Sequence, residues 1–454
     1  MDTSKKNTNI IILSIILVVA IIAAAFIFSR KKETTAETAA DNTVETAADQ
    51  AAEPAAGQAA EPAADQAAEP AADQAAEPAA ETAAGNTTAL TTYWTPDSPV
   101  AQSLRDYVAK VTDPADTANF IPVKDRIAVF DMDGTLTCET YYTYYDTMMF
   151  IEFCLNDHPE RVSDELKEVA AAIKPGYLAD ESLARNFAKA YAGMTMEEFY
   201  NYAVEFGKKP TASFENMRYI DNCYLPMAEL VQYLYENDFT IYVISGTERT
   251  TTRAIVANSP IKDYVTPNHV IGTDFEVKQK GHETESSNMN FKYANGDELV
   301  LTGGFIQKNL NANKSIYIER EIGQRPVLAF GNSGSDTSMM NYTIDSRNPY
   351  PAQAYMVVAD DNVREWGKQN WEEKSADYES KGYIPISMKN DFAQIYEEGI
   401  VPAAEQYKEP VLPAADSTEN APADTENAPA DTENAPADTE NESEGTEEEL
   451  QPAA

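Results

Sequence analysis

The longest apolar run in the chain is residues 10–28, nineteen positions interrupted only by Ser14 and closed by Arg30, Lys31 and Lys32. At ~1.5 Å rise per residue a helix of this length approaches the ~30 Å hydrocarbon thickness of a bilayer, which predicts one membrane span within an anchor segment at 1–32. Ala23, Ala24 and Ala25 offer a small-residue cleavage site, but the apolar run continues past them, and the anchor is expected to be retained. Lys5 and Lys6 nearly balance the three basic residues on the far side, so the positive-inside rule gives no orientation. A short leader before a long chain is the usual signal-anchor layout. The expectation is a single-pass protein of the cell membrane with its bulk outside the cytoplasm.

Large apolar side chains then disappear. Residues 51–82 repeat AAEPAA with a variable pair, and residues 418–438 repeat TENAPAD three times. Neither repeat can bury enough surface to offset the entropy of ordering, so 33–88 reads as an extended Ala/Pro/Glu spacer and 413–454 as an acidic disordered tail.

Between them, from about 91 to 412, short apolar runs alternate with amphipathic stretches. Residues 126–130, 239–245, 326–331, 269–272 and 355–358 are strand-like, and Pro226 precedes Met227, Leu230, Val231 and Leu234 at helical spacing. Continuous apolar strands alternating with helices predict an α/β fold with a parallel sheet covered on both faces, whose ligands bind at the carboxyl ends of the strands.

Charge changes the picture in one respect. The chain carries 34 Lys+Arg against 75 Asp+Glu, a formal net charge of -41, and a basic groove for nucleic acid is excluded. The three cysteines form no CxxC pair and the three histidines are scattered, which argues against redox chemistry and structural zinc.

The candidate chemistry sits at the strand ends. Asp131-Met132-Asp133-Gly134-Thr135 follows the first strand, with Gly134 allowing a sharp turn. Asp131 is the candidate nucleophile toward phosphorus and Asp133 the candidate general acid, then base. The second strand ends in Ser245-Gly246, a hydroxyl and a backbone N–H suited to a phosphoryl oxygen. The third ends in Gly331-Asn332-Ser333-Gly334-Ser335-Asp336, whose amide and carboxylate oxygens suit Mg2+. Lys314, before a helix expected at 315–322, is the candidate phosphate-binding ammonium.

This order of motifs resembles the haloacid-dehalogenase superfamily of phosphohydrolases, and within it the phosphoserine-phosphatase-like bacterial branch, through residues 135–139, 224–227 and 322–333. The resemblance spans roughly 124–366. It implies a Rossmann-like core, Mg2+ held by the Asp131 carboxylate, the Asp133 carbonyl and Asn332 with Asp336 in support, and Ser245, Gly246 and Lys314 as phosphate ligands. Many superfamily members carry Asp where this chain has Asn332, and residues 333–335 depart from the branch's usual Ser-Asp-Gly.

About 85 residues separate the first two motifs, too many for a crossover helix, and 139–223 is expected to form an inserted helical cap. Its aromatic start, Tyr141, Tyr142, Tyr144, Tyr145, Phe150 and Phe153, reads as cap core, with substrate contact the alternative. Glu139 and Arg218 are candidate readers of a substrate amine or carboxylate. Residues 273–304 read as a second insertion, a β-hairpin turning at Asn295-Gly296 between 291–293 and 299–301. The expected activity is Mg2+-dependent hydrolysis of a small phosphate ester, phosphoserine or another. A phosphotransferase and a catalytically weak surface binding protein on the same scaffold stay open, as does the oligomeric state.

Overall fold

A computed structural model describes residues 90–176 and 180–406. The expected anchor, the spacer and the repeat tail lie outside the described residues. No described helix is long and apolar enough to cross a membrane.

Nine strands form, in chain order β1 (Ile127–Phe130), β2 (Phe214–Glu215), β3 (Thr240–Glu248), β4 (Val270–Gln279), β5 (Leu299–Gln307), β6 (Leu328–Gly331), β7 (Gln353–Val358), β8 (Ile384–Ser387) and β9 (Val401–Pro402). Seven of them make one sheet in the order β5-β4-β3-β1-β6-β7-β8, and β2 with β9 makes a small antiparallel pair. Every β1 and β6 residue is buried, as central parallel strands covered on both faces must be, and Phe130 stacks on Phe330 across the pair at 4.4 Å.

The sheet is not wholly parallel, as the apolar runs alone suggest. β5 runs antiparallel to β4, with Lys278 opposite Val300. The chain therefore returns along the edge without a crossover helix. Asn295-Gly296 lies in a turn, with Gly296 at φ 95, but 291–293 is not the partner strand; residues 277–279 are. Three residues of alternation are too few to outcompete a ten-residue strand. β8 was not legible because Pro385 interrupts its run, and β8 pairs only with β7, the edge position where a missing N–H is tolerated.

Two local expectations shift by a few residues. Asn311, at φ 54, turns the chain so that the helix starts at Ala312, and Lys314 lies inside Ala312–Tyr317 instead of ahead of it. The 3-10 turn Pro267–His269 carries His269, and β4 begins one residue later. A helix at Pro99–Thr112, capped by Ser98, packs Leu104, Val108 and Val111 into the core.

Between β1 and β3 the chain forms the helices Tyr145–Glu152, Asp164–Ala172, Glu181–Ala190 and Met196–Gly207, the last three opened by Ser163, Asp180 and Thr195 as N-caps. Tyr141, Tyr142, Tyr145, Phe150 and Phe153 are buried there, with Tyr145 edge-on to Phe206 and Phe150 against Phe187. The helical segment docks on the hairpin through backbone hydrogen bonds, Gly193 N–H to Leu301 O and Leu301 N–H to Met194 O.

Strand order fixes where a ligand can sit. From β1 the chain moves to β3 and β4 on one side and later returns to β6 on the other, so the connections diverge above the carboxyl ends of β1 and β6. That divergence leaves a crevice in doubly wound sheets.

Candidate active site

Where β1 ends, the Asp131 N–H donates to Phe330 O at 2.9 Å, and the Met132 carbonyl accepts N–H groups from Thr135, Leu136 and Thr137. This tight loop passes through Gly134 at φ 82, where a Cβ would fall 1.9 Å from Asn332 Nδ2. Only glycine meets both conditions.

The loop delivers Asp131 to Lys314. The fully buried ammonium bridges Asp131 Oδ1 and Asp336 Oδ1, the latter at 2.6 Å, while Thr135 Oγ1 donates to Asp131 Oδ2 at 3.3 Å. Asp336 Oδ2 accepts the N–H groups of Asn332 and Ser333 at 3.1 and 3.0 Å. Its carboxylate is thus engaged by the lysine and the loop amides.

At the end of β3, Ser245 is buried and its Oγ accepts the Thr247 N–H at 3.0 Å. Gly246 and Thr247, but not Ser245, form the cavity wall. Thr247 Oγ1 donates to Asp133 Oδ2 at 2.8 Å, and Asp133 Oδ1 is buried with no hydrogen-bond partner among the described residues.

Asp131, Asp133, Glu139 and Asn332 line one cavity of about 350 Å3, closed by Gly246, Thr247, Leu310 and residues 333–335. Glu139 Oε1 accepts from Asn332 Nδ2 at 2.9 Å. Tyr144, alone of the aromatic cluster at the cap's start, joins this wall, as do Asp146 and Lys308. Arg218 does not: its half-exposed guanidinium pairs with Asp221 at 2.7 Å. Thr247, Asp146 and Lys308 were not singled out from the sequence. Thr247 carried a usable signal, standing two residues beyond Ser245 on one strand. The other two are lone charges with no motif.

Residues 128–341 match the family model of haloacid dehalogenase-like hydrolases. The match covers 214 of the 454 residues and takes in the strand-end loops described above. No curated protein shows significant sequence similarity to the chain. Among solved structures, a conserved protein of unknown function from Anaerococcus prevotii DSM 20548 is 12% identical with a TM-score of 0.39, covering 63% of this chain and 90% of that one. Cytosolic 5'-nucleotidase IIIB bound to cytidine is 11% identical with a TM-score of 0.34, covering 63% and 84%. A phosphoserine phosphohydrolase-like protein from Francisella tularensis is 15% identical with a TM-score of 0.27, covering 52% and 88%. Likeness at this level carries no information on substrate.

The cavity holds its carboxyls in a state far from that of surface acids. Burial, with the Asp336 charge added, pushes Asp131 up to about 7 against the pull of Lys314. Burial and the charges of Asp146 and Asp131 push Asp133 up to about 7, and burial with Asp131 and Asp133 pushes Glu139 to about 8. Burial works against the Lys314 ammonium, but Asp131 and Asp336 together raise it above its ordinary value. Lysine stays charged, and the carboxyls share its charge imperfectly.

Among the described residues no cluster of three or more His, Cys, Asp or Glu side chains is arranged as a metal site. The site nevertheless fits a hard dication. Burial first, and neighbouring carboxylates second, raise Asp131, Asp133 and Glu139 in one cavity, and a cation there would favour their charged forms. Asp131, Asp133 and Asn332 line the same cavity, and the oxygen donors they offer, a carboxylate, a backbone carbonyl and an amide, are of the type Mg2+ prefers.

Proposed function

We propose that the domain is a phosphomonoesterase working through a covalent aspartyl phosphate. The observation that carries this reading is the pairing of Asp131, bound to Lys314, with Asp133, oriented by Thr247 and holding an unpartnered oxygen, in one cavity at the switch point of the sheet. Asp131 attacks phosphorus and the ester oxygen departs, taking a proton from Asp133. Water then loses a proton to Asp133 and attacks the same phosphorus, which releases phosphate and restores the Asp131 carboxylate. An acid lifted to about 7 is matched to both duties near neutral pH.

Mg2+, held by Asp131, the Asp133 carbonyl and Asn332, would screen the repulsion between nucleophile and dianionic ester. Gly246 and Lys314 are the proposed phosphate ligands, Lys314 spreading its charge between Asp131 and the phosphoryl group, and Ser245, behind the cavity wall, would reach the phosphate only by releasing the Thr247 N–H. The apolar run at 10–28 adds the proposal that the enzyme is anchored in the cell membrane and faces outward. Phosphate release from a panel of monoesters tests the activity. Turnover should require a divalent cation, and Asp131→Asn should abolish it; full activity in excess EDTA would refute the reading.

A further inference from the structure

Lys308 is 7% exposed and lines the catalytic cavity, yet no carboxylate lies within ion-pair distance of it and its ammonium has no hydrogen-bond acceptor among the described residues. Buried lysines are costly unless paired, so an ammonium left open toward a cavity calls for a ligand. Its position is built. Asn309 Nδ2 donates to Ser245 O at 3.1 Å, the Asn309 N–H to Thr273 Oγ1 at 3.1 Å, and Asn313 Nδ2 to Lys308 O at 2.7 Å. The segment is thereby tied to the end of β3 and to the helix bearing Lys314.

The surroundings say which part of a substrate it meets. Burial disfavours the Lys308 charge, the carboxylates of Asp146, Asp133 and Asp180 favour it from beyond contact distance, and Lys314 is itself held by Asp131 and Asp336. Lys308 shares the cavity wall with Asp133 and Asp146, whereas Lys314 lies behind it, so an ester placed with its phosphorus at Asp131 can turn its alcohol portion toward Lys308. Asp146 comes from the helix Tyr145–Glu152 above the site and supplies a counter-charge beyond contact distance.

We propose that Lys308 is a specificity-determining residue that binds an anionic group on the alcohol portion of the substrate, a carboxylate or a second phosphate. The inference rests on the phosphomonoesterase reading for the orientation of the ester but not for the affinity it foresees. A charge-assisted hydrogen bond of this kind distinguishes ligands by about tenfold to a hundredfold.

The test uses the full chain with Mg2+ and two non-hydrolysable probes, phosphonoacetate and ethylphosphonate, titrated by calorimetry. Wild type should bind phosphonoacetate at least about tenfold more tightly. Lys308→Met should bring that ratio near one, and Lys308→Arg should keep it. Equal affinity for the two probes in wild type, or a ratio that survives in Lys308→Met, overturns the proposal. A wild type that discriminates between the probes but hydrolyses no phosphate ester leaves Lys308 as assigned and refutes the phosphatase reading instead.

Discussion

The hydroxyl of Thr247, at the end of β3, donates to one oxygen of Asp133 and leaves the other buried without a partner. The bond stabilises the carboxylate form and so lowers the pKa of Asp133, against burial and the charges of Asp146 and Asp131. It also aims the free oxygen. One threonine therefore sets both the direction and the acidity of the proposed general acid.

Removing it has a signed consequence. For the first chemical step Asp133 must be protonated, so kcat/KM falls as pH rises through the value near 7. Thr247→Val takes away a stabiliser of the charged form, and the alkaline limb should move to higher pH. The maximum should drop about tenfold to a hundredfold, the worth of a ~1.5–3 kcal/mol charged hydrogen bond. Thr247→Ser should recover most of both changes. A pH profile of Thr247→Val that overlays wild type would show that the bond is incidental.

Stability should vary with pH in the direction opposite to that of most proteins. Asp131, Asp133 and Glu139 have folded values near 7, 7 and 8, above the ~4 of an unfolded carboxyl. Each binds its proton more tightly when folded, so the contribution is full below about pH 4 and is lost as pH rises through about 7 to 8. Metal-free protein should lose roughly 5 °C or more in Tm across that range, a few kcal/mol at ~2 °C or more each. Saturating Mg2+ should flatten the fall. A Tm that climbs with pH in EDTA would contradict this electrostatic account.

Arg218 was a reasonable candidate in the linear chain, a lone arginine in the segment expected to cover the site. In the fold it is half-exposed and paired with Asp221, away from the cavity wall. Arg218→Ala should change KM by less than about twofold, since exposed pairs of this kind are worth ~0–1 kcal/mol. Steady-state kinetics on any hydrolysed ester decides the point, and a tenfold rise in KM would return Arg218 to the site.

Legibility followed contiguity. Asp131, Asp133, Ser245, Asn332 and Asp336 stand directly after continuous apolar runs, so strand and chemistry announce each other. Lys308 and Asp146 come from the exit of the hairpin and from a helix of the cap, 162 positions apart by their numbers, and the docking of the cap on the hairpin, as at Gly193 and Leu301, helps bring those segments together. Pairing at the sheet edges was hidden for another reason. Residues 299–301 can extend against several neighbours, and the ten-residue reach of β4 selects among them.

The proposed anchor can be tested independently of the chemistry. Residues 33–88 contain proline, and 12 acidic residues within 33–85, but no basic ones, a composition expected to leave a chain open to proteases. Protease added to intact cells should release a soluble, active fragment and leave the apolar segment in the membrane fraction. Release only after lysis would place the domain in the cytoplasm.

The central claim is covalent catalysis by Asp131. Rapid quenching of the full chain in acid during turnover, with Mg2+ and an ester it hydrolyses, followed by mass spectrometry of the peptide containing 131, should find one phosphoryl group on Asp131 that forms and decays at the rate of turnover. The label should be absent from Asp131→Asn. Phosphate release at full rate with no phosphoryl group on that peptide, or with the label unchanged in Asp131→Asn, would contradict the account.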